Sequence, residues 1–185
     1  GENAMLDSAL HQAVRFSNAL LDRVEADRAL RFGGLTGLRL NIGRIDGGIK
    51  ANMIAPTTEL RFGFRPLPSQ DIDQLHVDFR ALLPVAERAV YHETFRGPSL
   101  PSGDIAIAEE RRLATRDIAD ALGLPIGNAV DFWTEASLFS QAGFNALVFG
   151  PGAIAQAHTA DEWVAIDQLE RAAIHYSKVI QHGLG

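Results

Sequence analysis

Two segments in which apolar and polar residues alternate constrain the fold most strongly. Within residues 38–42 the leucine and isoleucine side chains share one face, and Arg39 and Asn41 share the other. Within residues 59–65 Leu60 and the phenylalanines face one way, and Glu59, Arg61 and Arg65 face the other. Such alternation predicts two β-strands with one buried face each, joined through a turn at Asp46-Gly47-Gly48. The buried face requires helices to cover it.

Two amphipathic helices flank these strands. The first is predicted over residues 6–30, ending before Gly33-Gly34, and its apolar positions recur at helical spacing: Leu6, Leu10, Val14, Leu21 and Val24. The second is predicted to be capped by Ser69, with an apolar stripe formed by Ile72, Leu75, Phe79 and Leu82/Leu83. A short strand near residues 89–95 completes an α-β-β-α-β order, which indicates a small α+β unit.

A second pattern begins after the turn-rich stretch 97–103. Asp104 is predicted to cap a helix that ends at Gly123, and its apolar side comprises Ile107, Leu113, Ile118 and Leu122. A helical segment over 135–141, an apolar run over 145–149 and a last helix over 166–181 follow. The apolar run predicts a strand that is buried on both faces, as in parallel sheets. This part therefore resembles half of an α/β domain.

Charge and composition exclude several classes of function. The 185 residues carry 17 Lys+Arg and 23 Asp+Glu, a net charge of −6, which argues against a basic nucleic-acid surface. The most apolar stretch, 142–157, is too short and too interrupted by glycine to span a membrane. Because there is no cysteine, any metal must be held by histidine and carboxylate groups, and a cytoplasmic location is expected.

The residues with chemical potential do not form a complete site by themselves. His158 follows the predicted buried strand and is a candidate metal ligand, although a histidine in such a loop is commonly a surface residue. Asn52 and Arg65 are candidates for binding a carboxylate, against a turn residue and a solvated strand end. Glu135 is either a substrate contact or a helix-start carboxylate, and Gly150-Pro151-Gly152 lacks the spacing of a phosphate loop. The remaining histidines, His76 among them, are interpreted as lacking partners.

The order of several motifs resembles one enzyme family. An Asn-x-Ile-x-Pro motif at Asn52–Pro56, with Arg65 thirteen residues after the asparagine, resembles the lid-domain signature of the di-zinc amidohydrolases. That family includes acetylornithine deacetylase, succinyl-diaminopimelate desuccinylase and carboxypeptidase G. Downstream, Thr134-Glu135-Ala136, Phe149–Gly152 and Ala157–Glu162 resemble the end of its catalytic domain. The acetylornithine and N-acetylcitrulline deacetylases are the most similar branch.

The resemblance implies a fold and a set of roles. Residues 1–97 would form an incomplete ferredoxin-like lid domain that lacks its first strand and mediates a homodimer. Residues 98–185 would form the C-terminal half of a zinc-peptidase-like α/β catalytic domain. His158 would bind one of two zinc ions, with cobalt as an alternative metal. Asn52 and Arg65 would hold the carboxylate of a small N-acyl amino acid, Gly150 and Gly152 would contact it, and the role of Glu135 stays open.

The resemblance also implies that other parts of the site lie upstream. The family's remaining metal ligands and its general base are expected before residue 1, so we expect this chain alone to be inactive. The leading hypothesis is part of a metal-dependent deacetylase of arginine biosynthesis that hydrolyses N-acetylornithine or N-acetylcitrulline. The alternative is a non-catalytic dimerisation or ligand-binding module derived from the same family.

Overall fold

The predicted strand pair is present and is joined by a ten-residue loop. A computed structural model of the chain describes residues 7–130 and 132–183. Strand β3 (Arg39–Gly47) pairs antiparallel with β4 (Thr58–Arg65), and a separate small hairpin, β1 (Arg31–Phe32) and β2 (Leu35–Thr36), precedes them. The helices are α1 (Ala9–Ala26), α2 (Ile72–Ala81), α3 (Ile105–Ala121), α4 (Ala136–Gln141) and α5 (Ile166–Gly183). Two short 3₁₀ turns lie at Ala86–Arg88 and Ile154–Gln156.

A bulge at Gly43 sets the register of β3 against β4. Ile42 pairs with Phe62 and Arg44 pairs with Arg61, so Gly43 has no counterpart on β4. The extra residue shifts the alternation by one, and Ile45 pairs with Leu60 on the buried face. The bulge therefore keeps one face of the pair apolar along its whole length.

The core lies between this apolar face and helices α1 and α2. Its buried residues are Phe16, Leu20, Leu38, Leu75 and Phe79. Phe62 and Phe64 pack edge-on against Phe79, with ring centroids 6.0 and 5.0 Å away. Burying aromatic side chains of this size makes a large contribution to the stability of so small a unit. The two helices and the strand pair predicted for this part are confirmed.

The first helix differs from its prediction in extent and in buried face. It ends at Ala26, where the Asp27 backbone N–H donates to Val24, and Gly33-Gly34 forms the turn between β1 and β2 instead. The predicted start at Leu6 lies outside the described residues. Phe16 and Leu20 are buried, whereas Val14 and Leu21 are half exposed. Residues four apart share a helix face, so the 16–20–24 series and not the 14–21 pair faces the sheet.

The second helix begins two residues later than predicted. Its N-cap is Asp71, whose carboxylate accepts hydrogen bonds from the backbone N–H groups of Asp73 and Gln74 at 2.8 and 3.1 Å. Ser69 lies in the preceding turn, so its prediction as the cap is wrong. A carboxylate at this position also complements the helix dipole, which favours Asp71 over the earlier serine.

Residues 89–95 do not form the predicted strand. The segment has no ladder partner among the described residues and is held by side chains to α2. Tyr91 and Glu93 contact His76, and Arg96 pairs with Asp73 at 2.8 Å. Without backbone pairing an extended segment is not a strand, so this prediction is wrong.

In the second part of the chain the predicted helices are present, but the predicted strand is not. Asp104 caps α3 by accepting from the Ile107 N–H at 2.9 Å, and Gly123 ends it with φ +62°. Residues 145–149 are irregular, and several of their side chains are exposed, which contradicts a strand buried on both faces. A parallel strand needs neighbours to accept its hydrogen bonds, and the described part of residues 97–183 contains no strand. The α/β catalytic half is therefore not seen here.

Helices α3 and α5 leave most of their apolar side chains exposed. Ile107, Leu113 and Ile118 of α3 are exposed, and so are Leu169, Tyr176 and Ile180 of α5. Ala108 is buried in a second cluster with Phe32 and Leu67, which joins α3 to the first part of the chain. None of the helices in the described ranges combines the length and apolarity that crossing a bilayer requires.

Candidate functional site

His158 lies in a loop with a restrained backbone. Its φ of +61° is left-handed, a conformation that costs an L-residue about 1–2 kcal/mol. The His158 N–H donates to the Glu162 carboxylate at 3.0 Å, and the Thr159 hydroxyl donates to the Gln156 carbonyl at 2.8 Å. These two bonds hold the turn while the His158 residue stays exposed. Strained backbone of this kind is concentrated at functional sites, which favours a functional role for His158 over that of an ordinary surface residue.

The described residues do not form a complete metal centre. Across 7–130 and 132–183 there is no group of three or more His, Asp and Glu side chains placed to hold one ion. A catalytic or structural zinc site needs three or four protein ligands. His158 can therefore supply at most one ligand. The described residues alone do not provide the ligand set of a zinc site.

Helix α5 holds in place the loop Gly150-Pro151-Gly152, here called the glycine loop. The Tyr176 hydroxyl donates to the Phe149 carbonyl at 2.7 Å, and the Gly152 N–H donates to the Gln168 side-chain oxygen at 2.8 Å. Gly152 has φ +101°, a backbone conformation that residues with side chains rarely adopt. Gly150 does not have a positive φ. Gly150 and Gly152 are both exposed, so their backbone is accessible to a ligand.

Sequence reasoning missed Gln168 and Tyr176 as supports of this loop. The two residues are eight positions apart on α5 and therefore lie on one helix face. That spacing, beside a loop with two glycines, is the signal that would have identified them. The ring of Phe149 packs edge-on against Tyr176, with a centroid separation of 5.6 Å.

Glu135 lies at the start of α4 with its side chain exposed. It occupies the N-cap position but makes no capping hydrogen bond, and the Thr134 hydroxyl accepts from the Ala136 N–H at 3.1 Å instead. Its carboxylate is near the positive end of a short helix, as the structural interpretation expects. Neither His158 nor the glycine loop shares a hydrogen bond with it among the described residues.

Asn52 and Arg65 lie at opposite ends of β4. Asn52 is exposed in the loop that joins β3 to β4, and this loop contacts the start of α1 through the Ala9 N–H and the Ala55 carbonyl at 2.9 Å. Arg65 is the last residue of β4. The seven residue steps from Thr58 to Arg65 correspond to about 23 Å. The structure therefore does not bring the amide and the guanidinium together at one end of the sheet.

His76 has partners, contrary to the sequence interpretation. It is buried, and its Nδ1 lies 2.8 Å from the Tyr91 hydroxyl. Burial raises the pKa of the Tyr91 phenol. The hydrogen bonds from Arg96 lower the pKa of Glu93, and the nearby His76 adds to that effect. This cluster fastens residues 91–96 to α2, so we assign it to structure.

Comparison with known proteins defines the class. Residues 1–89 match the family model of the peptidase dimerisation domain of the M20 group. The match covers the part that contains α1, α2 and the β3–β4 pair.

Curated relatives define the group more narrowly. The chain is 68% identical over 173 residues to the N-acetyl-L-citrulline deacetylase of Xanthomonas campestris, covering 94% of this chain and 47% of the relative. It is 30% identical over 192 residues to the acetylornithine deacetylase of Salmonella arizonae, covering 98% of this chain and 46% of the relative. The acetylornithine deacetylase of Myxococcus xanthus is 29% identical over 152 residues, which cover 79% of this chain and 38% of the relative.

The chain therefore carries an M20 peptidase dimerisation domain and is homologous to the N-acetyl-L-citrulline and acetylornithine deacetylases. The sequence-based family assignment is confirmed. The chain spans about half the length of the curated relatives it matches.

Proposed function

We propose that this chain is part of a metal-dependent deacetylase that hydrolyses the amide of an N-acetylated amino acid in arginine biosynthesis. The observation that carries the proposal is the 68% identity to an N-acetyl-L-citrulline deacetylase over 94% of the chain. Identity at this level across both parts of the chain favours N-acetyl-L-citrulline as substrate over N-acetyl-L-ornithine. The reaction would take place in the cytoplasm.

His158 is proposed as one ligand of a zinc centre, with cobalt as the alternative metal. Its restrained turn supports this role, because a ligand held by local hydrogen bonds loses little freedom when it binds a metal. The other ligands and the general base would come from protein outside the described residues. The metal, when bound, would activate the water that attacks the amide carbonyl.

The remaining site residues are proposed as substrate contacts. Arg65 would bind the free carboxylate of the substrate, since its guanidinium is exposed at the end of β4 and makes no ion pair among the described residues. The exposed backbone of Gly150 and Gly152 would contact the substrate, supported by α5. Glu135 is proposed as a further contact, and Asn52 as a contact made across the proposed homodimer, because within one chain Asn52 lies at the far end of β4 from Arg65.

We also propose that residues 1–97 act as the lid domain and join two copies of the protein, and that residues 98–185 belong to the catalytic domain. The match to a peptidase dimerisation domain supports the first part of this division. Sedimentation equilibrium of the complete protein is expected to give a homodimer. A monomer at all concentrations would contradict the proposed assembly.

Hydrolysis by the complete protein tests the function. We expect the complete protein that contains this chain to release acetate from N-acetyl-L-citrulline when loaded with zinc, and the 185-residue chain alone to release none. A His158→Asn variant of the complete protein should lose both bound zinc and activity. His92→Asn, at an exposed position of the same residue type, is the matched control and should lose neither.

Absence of acetate release would contradict the deacetylase proposal. If the zinc-loaded complete protein releases acetate from neither N-acetyl-L-citrulline nor N-acetyl-L-ornithine, the deacetylase proposal is wrong. The non-catalytic dimerisation or ligand-binding module then becomes the better interpretation.

A further inference from the structure

The conformational freedom of the glycine loop is concentrated at its last residue. The ring of Pro151 fixes its own φ and restricts the residue before it, Gly150, to extended backbone. Gly152 has neither restriction, and glycine exchanges its φ of +101° for other conformations at little cost in energy. A contact at Gly152 is therefore the most effective way to hold the loop in one conformation.

Gln168 makes that contact from the first turn of α5. Its side chain is half-buried, and its oxygen accepts the Gly152 N–H at 2.8 Å. Among the described residues the Gly152 backbone has no other hydrogen bond. At the opposite end of the loop the Tyr176 hydroxyl donates to the Phe149 carbonyl, and there the two aromatic rings also pack together. The Gly152 end therefore depends more strongly on its one hydrogen bond.

The same bond determines which donor the loop offers to a ligand. The Gly152 N–H is occupied by Gln168, whereas the Gly150 N–H has no hydrogen-bond partner in the part of the chain that the structure describes. Gly150 is exposed. An exposed backbone N–H without a partner is available to a carbonyl or carboxylate oxygen of a ligand. Gly150, and not Gly152, is therefore the free donor of the glycine loop.

We infer that Gln168 is a positioning residue, which acts through Gly152 to hold the glycine loop in the conformation that presents the Gly150 N–H to the substrate. The identity of the substrate, an N-acetylated amino acid, rests on the proposed function. If the loop spends only a fraction of its time in this conformation, the apparent affinity for the substrate falls by that fraction. Loss of the Gln168–Gly152 hydrogen bond should therefore raise KM and leave kcat nearly unchanged.

Two substitutions of Gln168 in the complete, zinc-loaded protein test this role. Methionine resembles glutamine in length and helix propensity but lacks a strong acceptor, so Gln168→Met should raise the KM for N-acetyl-L-citrulline about fivefold, with kcat within about twofold. Glutamate keeps an acceptor oxygen and suits the first turn of a helix, so Gln168→Glu should restore KM to within about twofold. Gln181→Met, the matched control at an exposed position of α5, should change neither constant.

A second measurement requires neither substrate nor metal. In the 185-residue chain, isotope-labelled at glycine, NMR measures how fast the Gly152 amide proton exchanges with water, and Gly152→Ala assigns the signal. Gln168→Met should accelerate this exchange about fivefold, whereas Gln168→Glu and Gln181→Met should not accelerate it. Tyr176→Phe should not accelerate it either, because it removes the hydrogen bond at the opposite end of the loop. Thermal unfolding of each variant checks that the fold is retained.

Unchanged exchange at Gly152 in Gln168→Met would overturn the inference whatever the activity. Equal KM values for Gln168→Met and Gln181→Met in an active protein would also overturn it, since the loop would then reach its ligand-binding conformation without Gln168. A lower kcat at an unchanged KM would contradict a role in presenting the loop to the substrate.

The two proposals fail separately. Hydrolysis by the complete protein, together with an unchanged KM in Gln168→Met, would remove only the positioning role. If the complete protein hydrolyses neither acetylated amino acid, the deacetylase proposal is wrong. Faster exchange of Gly152 in Gln168→Met would then still support Gln168 as the residue that holds the loop, and unchanged exchange would overturn that role as well.

Discussion

The imidazole Nδ1 of His76 lies 2.8 Å from the hydroxyl oxygen of Tyr91, and this contact ties α2 to the irregular segment that follows it. The Tyr91 ring also lies against Phe62, at a centroid separation of 6.1 Å, and under the Arg80 guanidinium at 4.9 Å. The contact thus closes one side of the core without any backbone pairing. It explains how residues 89–95 stay in place although they form no strand.

Removing the Tyr91 hydroxyl should destabilise the fold. Tyr91→Phe keeps the ring contacts but leaves the buried His76 without this partner, and we expect a loss of about 1–2 kcal/mol in the free energy of unfolding. Urea denaturation followed by circular dichroism measures it. Tyr176→Phe is the control, because its hydroxyl bond is exposed and water replaces it. Equal losses in the two variants would contradict the structural role of the His76–Tyr91 contact.

The charge of Glu93 should make stability depend on pH. Arg96 lowers the pKa of Glu93 below 4.5 in the folded chain, so the stabilisation is complete above the unfolded pKa. It is lost as the pH falls through the lower, folded pKa. In Arg96→Gln, NMR titration should give a Glu93 midpoint closer to 4.5 than in the unmodified chain. An unchanged midpoint would show that Arg96 does not lower the pKa of Glu93.

Truncating Phe79 should be among the most damaging core substitutions. The side chain has an exposed fraction of 0% and packs against both Phe62 and Phe64. Phe79→Ala is expected to lower the free energy of unfolding by about 3–5 kcal/mol, because it leaves a cavity. Val77→Ala on the same helix, where the side chain is 55% exposed, should change it by less than about 0.5 kcal/mol. Urea denaturation of both variants provides the comparison.

The glycine loop should respond differently at its two glycines. Gly152→Ala forces a side chain into φ +101°, although a Cβ there would meet only Val164 at an ordinary 3.8 Å. The cost is therefore conformational, about 1–2 kcal/mol, and the distorted loop should raise the KM of the complete protein. Gly150→Ala requires no positive φ and should change stability little. Thermal unfolding and substrate kinetics distinguish the two variants, and equal effects would argue against strain at Gly152.

Local patterns predicted that the helices form and predicted the cap of α3, whereas the cap of α2 is Asp71 and not the predicted Ser69. Asp104 and Gly123 bound α3 as expected, and the alternation of residues 59–65 matches the burial of β4. The same logic failed at residues 145–149, where an apolar run suggested a buried strand. An apolar run specifies a need for burial, but only neighbouring strands can supply the hydrogen bonds that make it a strand.

For the candidate site, too, the sequence predicted some features and only the structure showed others. The motif that contains Asn52 and Arg65 identified the family from sequence, and the relatives confirm that assignment. The separation of these two residues by the length of β4 depends on the course of the connecting loop, and thirteen residues of spacing contain no information about it. Gln168 and Tyr176 were missed because their role requires α5 to lie against the glycine loop.

Sequence alone determined the amphipathic helices, the two alternating strands and the homology to the deacetylases, because side-chain periodicity and motif spacing are properties of neighbouring residues. Only the tertiary structure decided that Gly43 bulges, that Arg39 faces Arg65 and that His76 meets Tyr91. Those relationships join residues that are 15 or more positions apart, and they depend on strand register and packing, which local pattern does not specify.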